Sequence, residues 1–454
     1  MACRRIRTVS ALVAVLGAVG MACGADGDDD GDAASTGRDV PAVATDFGAD
    51  RRTIRVGLLS DLTGPFSVLL KDAVLAQEVY WERVNAAGGI AGRRIDLVVV
   101  DQKYDIPTHK SRFAALSAKD EGGVLILSQS AGSPHTAAIK ADLEAAGLIA
   151  IPFAFFSAWA DPVYGKHVFE AYSNTCFQAI NTLQYMFDTQ NARTVAIVSF
   201  PGEFGQDSAR GAKLAAEGLG MRIVYDGEAK VVPPSPTNPN PDNSGIVSAI
   251  VGSRPDVVWV AVNPSTLPTL IGPAAAKGYR GLWAGAYGAY HEALLKSDVK
   301  HIIDSSYFAS SYTAELGVNV PGMADMIAAI RKSKPGARAS DAYVLGWTEA
   351  HITDAILRKA AELGDLTRAG VLRAAFELDK VDFGGLAPRQ TWKGDPNAYV
   401  VRETYVFKPK LALFKEGMIG EGRTGGELLK GPFASPITQS YDFNARGGCF
   451  KPAK

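Results

Sequence analysis

The stretch GGVLILSQSAGSPHTAAIKADLEAAGLIAIPFAFFS, residues 122–157, decides how the rest of the chain is read. Its pattern is strand, polar loop, helix, strand. Val124–Leu127 is a short apolar run without alternation, as expected for a strand covered on both faces of a parallel sheet. Ser128, Gln129, Ser130, Gly132 and Ser133 then cluster ahead of Thr136–Ala146, whose apolar residues recur at helical spacing. Small hydroxyls, backbone N–H groups and a helix N-terminus would converge on one point, a way to hold a carboxylate without a buried cation. In an open α/β sheet that point lies outside the carboxyl ends of the strands, where such folds bind ligands. Ser133 would serve equally as a helix cap.

Outward from this stretch, strand and helix alternate. Toward the N-terminus, IRVGLLSDLTGPFS reads as a strand and a turn, Asp72–Ala86 as a helix, RRIDLVVVDQKYD as a second strand and His109–Lys119 as a second helix. This pitch predicts a parallel sheet with right-handed connections and helices on both faces. Toward the C-terminus, Thr194–Ser199, Arg222–Tyr225, Asp256–Val262 and Leu282–Ala284 are four short apolar runs separated by helical stretches, enough for a second sheet. VVPPSPTNPNPDNSG between them is a proline-rich surface insertion that cannot pair in a central strand.

The chain is 454 residues long, sufficient for two α/β cores, and its net charge of −1 with no Lys/Arg block excludes nucleic acid as a partner class. Residues 1–23 read as a secretory leader: Arg4, Arg5 and Arg7 precede ALVAVLGAVGMA, which is too short to span a bilayer comfortably. The Gly20-Met21-Ala22-Cys23 junction resembles the lipobox of bacterial lipoproteins, which makes Cys23 the expected lipid attachment site and places the protein on the outer face of the cytoplasmic membrane. Residues 24–52, rich in Gly, Asp and Ala, are expected to form a flexible tether.

Further segments occur in a telling order: SDLTGPFS, NAAGGIAGRRIDLVVVDQKYD, VFEAYSNTCFQA, TVAIVSFPGEFGQDSARGAKLAAEGLGMRIV, PDVVWVAVNPSTLPTLIGPAAAKGYRGLWAG, DAYVLGWTEAHITDAILRKAAELGDLTRAGVLRAAFE and DFGGLAPRQTW. Over residues 53–408 the chain resembles the branched-chain amino-acid-binding proteins of ATP-driven (ABC) importers, which have the type I periplasmic-binding-protein fold. The resemblance implies an α/β class with two doubly wound lobes, each with a parallel central sheet, joined by three hinge crossings near Ala171–Asn174, Ser305–Ser310 and Asp382–Gly385. The N-terminal lobe would take residues 53–171 and 310–378, the C-terminal lobe 172–305 and 380–408. Residues 409–454 would remain as an extension with little regular structure.

The same resemblance implies a small-molecule ligand held between the lobes and a permease that receives it when the lobes close. Its ligand serine falls on Ser133 and the next strand edge on Ala154, Phe156 and Ser157. The packing aromatic falls on Phe204. Two positions depart from the family pattern: Asn263 stands for an aromatic, and Tyr287 for the acid that meets the ligand's ammonium. A buried ammonium without an anionic partner costs several kcal/mol. Unless Glu203, Asp207 or Glu292 reaches in, Tyr287, with Phe153, Phe155, Phe156, Trp159, Tyr172, Phe204 and Tyr290, therefore points to a carboxylate or neutral polar head on an apolar or aromatic body.

Chemistry for catalysis is missing from the sequence. There is no G-x-S-x-G elbow and no G-x-x-x-x-G-K-[ST] loop, and His291-Glu292-Ala293-Leu294-Leu295 lacks the second histidine of a zinc helix. Gly420–Gly425 matches G-x-G-x-x-G by letter but has no expected strand before it. No cofactor or metal is expected. With Cys3 in the leader and Cys23 lipidated, Cys176 and Cys449 remain for a disulfide or as two free thiols. A ligand-sensing extracytoplasmic receptor is the alternative to a transport protein, since the same fold serves both.

Overall fold

The structure, a computed structural model, describes residues 42–120, 122–235 and 237–452. The leader and Cys23 lie outside them. Two sheets organise the chain. The first holds β1 (Thr53–Ser60), β2 (Arg94–Asp101), β3 (Ile126–Ala131) and β4 (Ala150–Phe153), all parallel, in the order β2-β1-β3-β4. The second holds β5 (Thr194–Ser199), β6 (Arg222–Gly227), β7 (Val257–Ala261), β8 (Leu282–Gly285), β9 (Tyr307–Ser311), β10 (Thr404–Lys415) and β11 (Arg423–Phe433). Its order is β11-β10-β9-β8-β7-β5-β6, parallel from β9 to β6 and antiparallel at β10 and β11.

The apolar runs are strands because both faces of each parallel sheet are covered. Ile126, Leu127, Val195, Ile197, Val258 and Val260 are fully buried. The helices α1 (Ser67–Ala86), α2 (Ile106–Leu116), α3 (Ser133–Ala138) and α4 (Lys140–Ala146) connect the first sheet; α5 (Thr175–Thr189) and α6 (Gly202–Leu219) open the second. After β9 the chain returns to the first sheet, where the helix Ala342–Glu362 packs on α1. Gly346 makes this close crossing possible, since a Cβ there would lie 1.8 Å from the Ala73 carbonyl oxygen. The chain then crosses a third time to reach β10. In each sheet the order reverses beside the first strand, so the two switch points, after β1 and β3 and after β5 and β7, open toward one cleft.

Four local expectations change. Ser128, Gln129 and Ser130 belong to β3, not to a loop. Buried polar residues can continue a strand when the neighbours satisfy them. Ser128 Oγ donates to Gln77 Oε1 (2.7 Å), Gln129 Nε2 donates to Glu349 Oε2 (2.8 Å), and Ser130 Oγ and Thr136 Oγ1 are 2.8 Å apart. The single helix expected over Thr136–Ala146 starts at Ser133 and is broken at Ile139 into α3 and α4. The segment expected as tether joins the fold at its end: Ala44–Thr45 pairs with Asp365–Leu366, and Asp46 Oδ1 accepts the Arg368 N–H at 3.0 Å.

The chain beyond residue 409 is more regular than its composition implies. It completes β10 and supplies β11, an edge hairpin. It then returns across the second lobe, and Cys449 forms a disulfide with Cys176 at the start of α5. Among the described residues, no helix is long and apolar enough to cross a membrane.

Candidate functional site

The loop after β1 is the first wall of the cleft. Asp61 accepts the backbone N–H groups of Gly64 and Phe66, the latter at 2.9 Å, and so fixes the turn that carries the Phe66 ring. Phe66 stacks on Tyr104, from the loop after β2, with ring centroids 4.6 Å apart. After β3 the chain turns at Gly132, whose φ of +94° suits glycine; a Cβ there would lie 2.5 Å from His135 Nδ1 and 2.9 Å from the Tyr104 ring. This turn delivers Ser133. Its hydroxyl is buried, 2% of the residue being exposed, and has no hydrogen-bond partner.

The facing wall comes from the second lobe. Phe204, in the first turn of α6, approaches Phe66 edge-on at 6.4 Å between centroids. With Leu70, Phe153, Ala154, Phe155 and Gly288, these groups enclose a narrow cavity of about 20 Å³. Apart from the Ser133 hydroxyl and Tyr104, its side chains are apolar, and no Lys or Arg lines it. Such a surface takes an apolar body by removing it from water, and offers one uncommitted hydroxyl to a polar end.

A second narrow cavity, also of about 20 Å³, lies across Gly288. Leu69 of α1, the segment Ala286–Glu292, the end of β9, Glu315 and Asp341 line it. Tyr287 sits at this cavity, its ring 5.7 Å from Phe155 and 4.8 Å from Tyr312. Tyr312 in turn stacks on Tyr172 at 4.3 Å, so an aromatic column runs from the first cavity into the first crossing. The second cavity is acidic. Burial pushes the Glu292 carboxyl up to about 7 and that of Asp341 to about 8, and raises Glu315 well above the carboxylate range, with the neighbouring carboxyls adding to each shift.

The residues singled out in the sequence fall into three groups. Ser133, Ala154 and Phe204 meet at the first cavity, and Tyr287 borders the second. Ser130 points into the fold toward Thr136, and Asn263 is buried with its Oδ1 accepting the Thr266 N–H at 2.8 Å; neither lines a cavity. Phe156 and Ser157 face away from the cleft. Phe156 is fully buried against Trp159, Tyr164 and Phe450. Ser157 donates through N and Oγ to Asp207 and accepts the Cys449 N–H at 2.7 Å. Phe153, Ala154 and Phe155 all line the cavity, and the chain then enters a single 3₁₀ turn, Ser157–Ala160, whose start carries Phe156 and Ser157 away from it.

Four cavity residues, Phe66, Leu70, Tyr104 and Gly288, escaped the sequence reading. Phe66 lies in SDLTGPFS, where an aromatic directly after a strand and turn was the available signal. Tyr104 becomes a wall residue only because the loops after β2 and β3 approach each other. Of the acids that could reach the Tyr287 position, Glu292 lines the second cavity, joined there by Glu315 and Asp341 from distant segments, whereas Glu203 and Asp207 do not line it.

The model of the periplasmic binding proteins matches residues 53–410. A fatty acid ABC transporter substrate-binding protein from Thermomonospora curvata superposes with a TM-score of 0.77 at 26% identity, covering 88% of this chain and 97% of that one. A branched chain amino acid ABC transporter protein from Thermus thermophilus with bound valine gives 0.71 at 18% identity, covering 86% and 98%. A solute binding protein from R. palustris in complex with 4-hydroxybenzoate gives 0.68 at 14%, covering 84% and 98%. None of the curated proteins matches the chain. The matched span contains both sheets up to β10 and every residue of the two cavities, and the chain belongs to the periplasmic binding protein family.

Proposed function

We propose that this solute-binding protein captures a small carboxylic acid or amide with an apolar or aromatic body between its lobes and passes it, chemically unchanged, to an ABC permease. The observation that carries the reading is the unpartnered, buried Ser133 hydroxyl opening into an otherwise largely apolar cavity walled by both lobes. A buried hydroxyl without a partner costs about 1–3 kcal/mol, which a ligand oxygen recovers on binding. Ligand contacts to Ser133 from the first lobe and Phe204 from the second favour the closed arrangement by their differential affinity. The fatty acid and 4-hydroxybenzoate proteins among the structural relatives bind molecules of this chemistry.

An α-amino acid fits less well. Burial shifts the carboxyls nearest Tyr287 toward their neutral forms, and an ammonium beside them would have to displace protons. Lipid attachment at Cys23 would hold the protein at the outer face of the membrane, where the permease opens.

A thermal-shift panel of octanoate, benzoate, 4-hydroxybenzoate, benzamide, leucine and phenylalanine tests the reading. Ligand at about a hundred times its Kd stabilises the folded state by about 2.7 kcal/mol, a readily measured rise in melting temperature. The carboxylates or the amide should raise it most. Tight binding of leucine with no response to the acids or the amide would overturn the assignment.

A further inference from the structure

The second cavity contains three carboxyls that come from separate parts of the chain and meet between the lobes. Glu292 lies on the second lobe, in the loop that leaves β8; Glu315 lies on the crossing that leaves β9; Asp341 precedes the helix Ala342–Glu362, which packs on the first lobe. Leu69 of α1 closes the cavity from the first-lobe side. Asp341 Oδ1 accepts the Leu316 N–H at 2.6 Å and the Thr424 hydroxyl at 2.9 Å, the latter from β11, so its carboxyl ties a first-lobe helix to the second sheet. The Glu315 Oε2, Tyr290 hydroxyl and Ser310 hydroxyl are buried there without partners.

Among the described residues, neither Lys nor Arg lines the cavity. His291 is the one basic group in the lining: its Nε2 lies 3.5 Å from Glu292 Oε2 and its Nδ1 accepts the Ala293 N–H, while burial holds its pKa down to about 4. The other titratable groups facing the cluster are Asp72 of α1, Tyr287 and Tyr290 of the same loop, Tyr307 of β9, and Tyr343 and Glu349 of the helix Ala342–Glu362. The side chain of Lys296, the nearest cation on that loop, bonds Glu416 outside the cavity.

We propose that closing the two lobes takes up protons at Glu292, Glu315 and Asp341, so that the closed form is favoured at acid pH and loses ground as the pH rises through neutrality. The inference rests on the reading of the cleft as one that opens and closes. In the open form water reaches the three carboxyls and they ionise near the ordinary value of about 4. In the closed form Glu292 and Glu315 are buried and Asp341 is half-buried beside them, and the three carboxyls hold their protons to higher pH. Where the open form has released a proton that the closed form keeps, each carboxyl lowers the closed-to-open ratio by about tenfold per pH unit. The window opens above the ordinary carboxylate range and closes as the buried groups themselves ionise, near 7 for Glu292 and near 8 for Asp341.

Small-angle scattering of the full chain without added ligand, at about pH 5.5 and about pH 8.5, tests this proton linkage. The wild type should be compact at the lower pH and increase in radius of gyration at the higher. The Glu292→Gln/Glu315→Gln/Asp341→Asn variant should stay compact at both. Equal dimensions of the wild type at the two pH values, or an expansion of the amide variant equal to that of the wild type, would overturn the proposal. Should the triple variant fail to fold by circular dichroism, Glu315→Gln alone, at the carboxyl whose Oε2 has no partner, must reduce the expansion, and an unreduced expansion counts against the proposal. Failure of the ligand panel leaves this measurement intact, so the two readings fall separately.

Discussion

The two cavities share Gly288 yet have opposite chemistry. The first is walled by loops that leave the carboxyl edges of both sheets, and its polar content is a hydroxyl and a tyrosine among rings and backbone. The second draws on the crossing segments and collects carboxyls with no cation. Lobe edges are free to vary toward a ligand, because nothing else in the fold depends on what they present. Residues at the crossings must fit in both the open and the closed arrangement, and a group that is neutral in one and charged in the other distinguishes them electrostatically.

The largest effect separating the two cavities is expected at Gly132. Gly132→Ala places a Cβ against His135 and Tyr104 at a positive φ, so the Ser133 turn must move, and affinity for the best ligand of the panel should fall by about a hundredfold or more in titration calorimetry. Next comes the hydroxyl itself. Ser133→Ala removes a hydrogen bond to a charged or polar head, about 1.5–3 kcal/mol, which reads as a tenfold to hundredfold loss. A carboxylate bound equally well by the alanine variant would move the site elsewhere.

Phe204→Ala tests the second-lobe wall. It should weaken binding by about tenfold, through lost apolar contact, while leaving the order of preference within the panel unchanged. The smallest effect lies in the acidic cavity. Glu315→Gln should leave affinity near pH 5.5 within about twofold, because burial shifts the wild-type carboxyl toward its neutral form. Its melting temperature at pH 8.5 should exceed that of the wild type by about 2 °C. The sign follows from linkage: a carboxyl raised in the folded state loses stability as the pH rises above its unfolded value, and the amide does not. A variant that melts lower than the wild type at the higher pH would show that Glu315 is charged and stabilising.

Much of the fold was legible from residues 122–157 and the runs around them, because buried parallel strands need uninterrupted apolar residues and leave a mark in composition. β5 spans Thr194–Ser199 as read, and β6 to β8 fall on the expected runs. β3 was misplaced because its last residues are polar. Only the tertiary partners Gln77, Glu349 and Thr136 make Ser128, Gln129 and Ser130 suitable for a strand. The hairpin β10–β11 was missed for the related reason that its glycines and prolines resemble loop composition, while its pairing is long-range in space.

The candidate site was partly legible. Ser133 stands out in the loop and helix pattern and, like Phe204, is implied by the family resemblance, and the structure brings the two to one cavity. Phe156 and Ser157 share a stretch with Ala154 and yet face away from the cavity, since the chain leaves its extended path at the turn Ser157–Ala160.

The sequence by itself determined the class of the fold, the order of its strands and helices and the aromatic character of the cleft, because these depend on local patterns of burial. Only the tertiary structure decided which hydroxyl is left without a partner, which aromatic rings meet across the lobes, and that Glu292, Glu315 and Asp341 converge on one cavity. Those outcomes depend on how loops from distant segments approach one another, and no local pattern records such an approach.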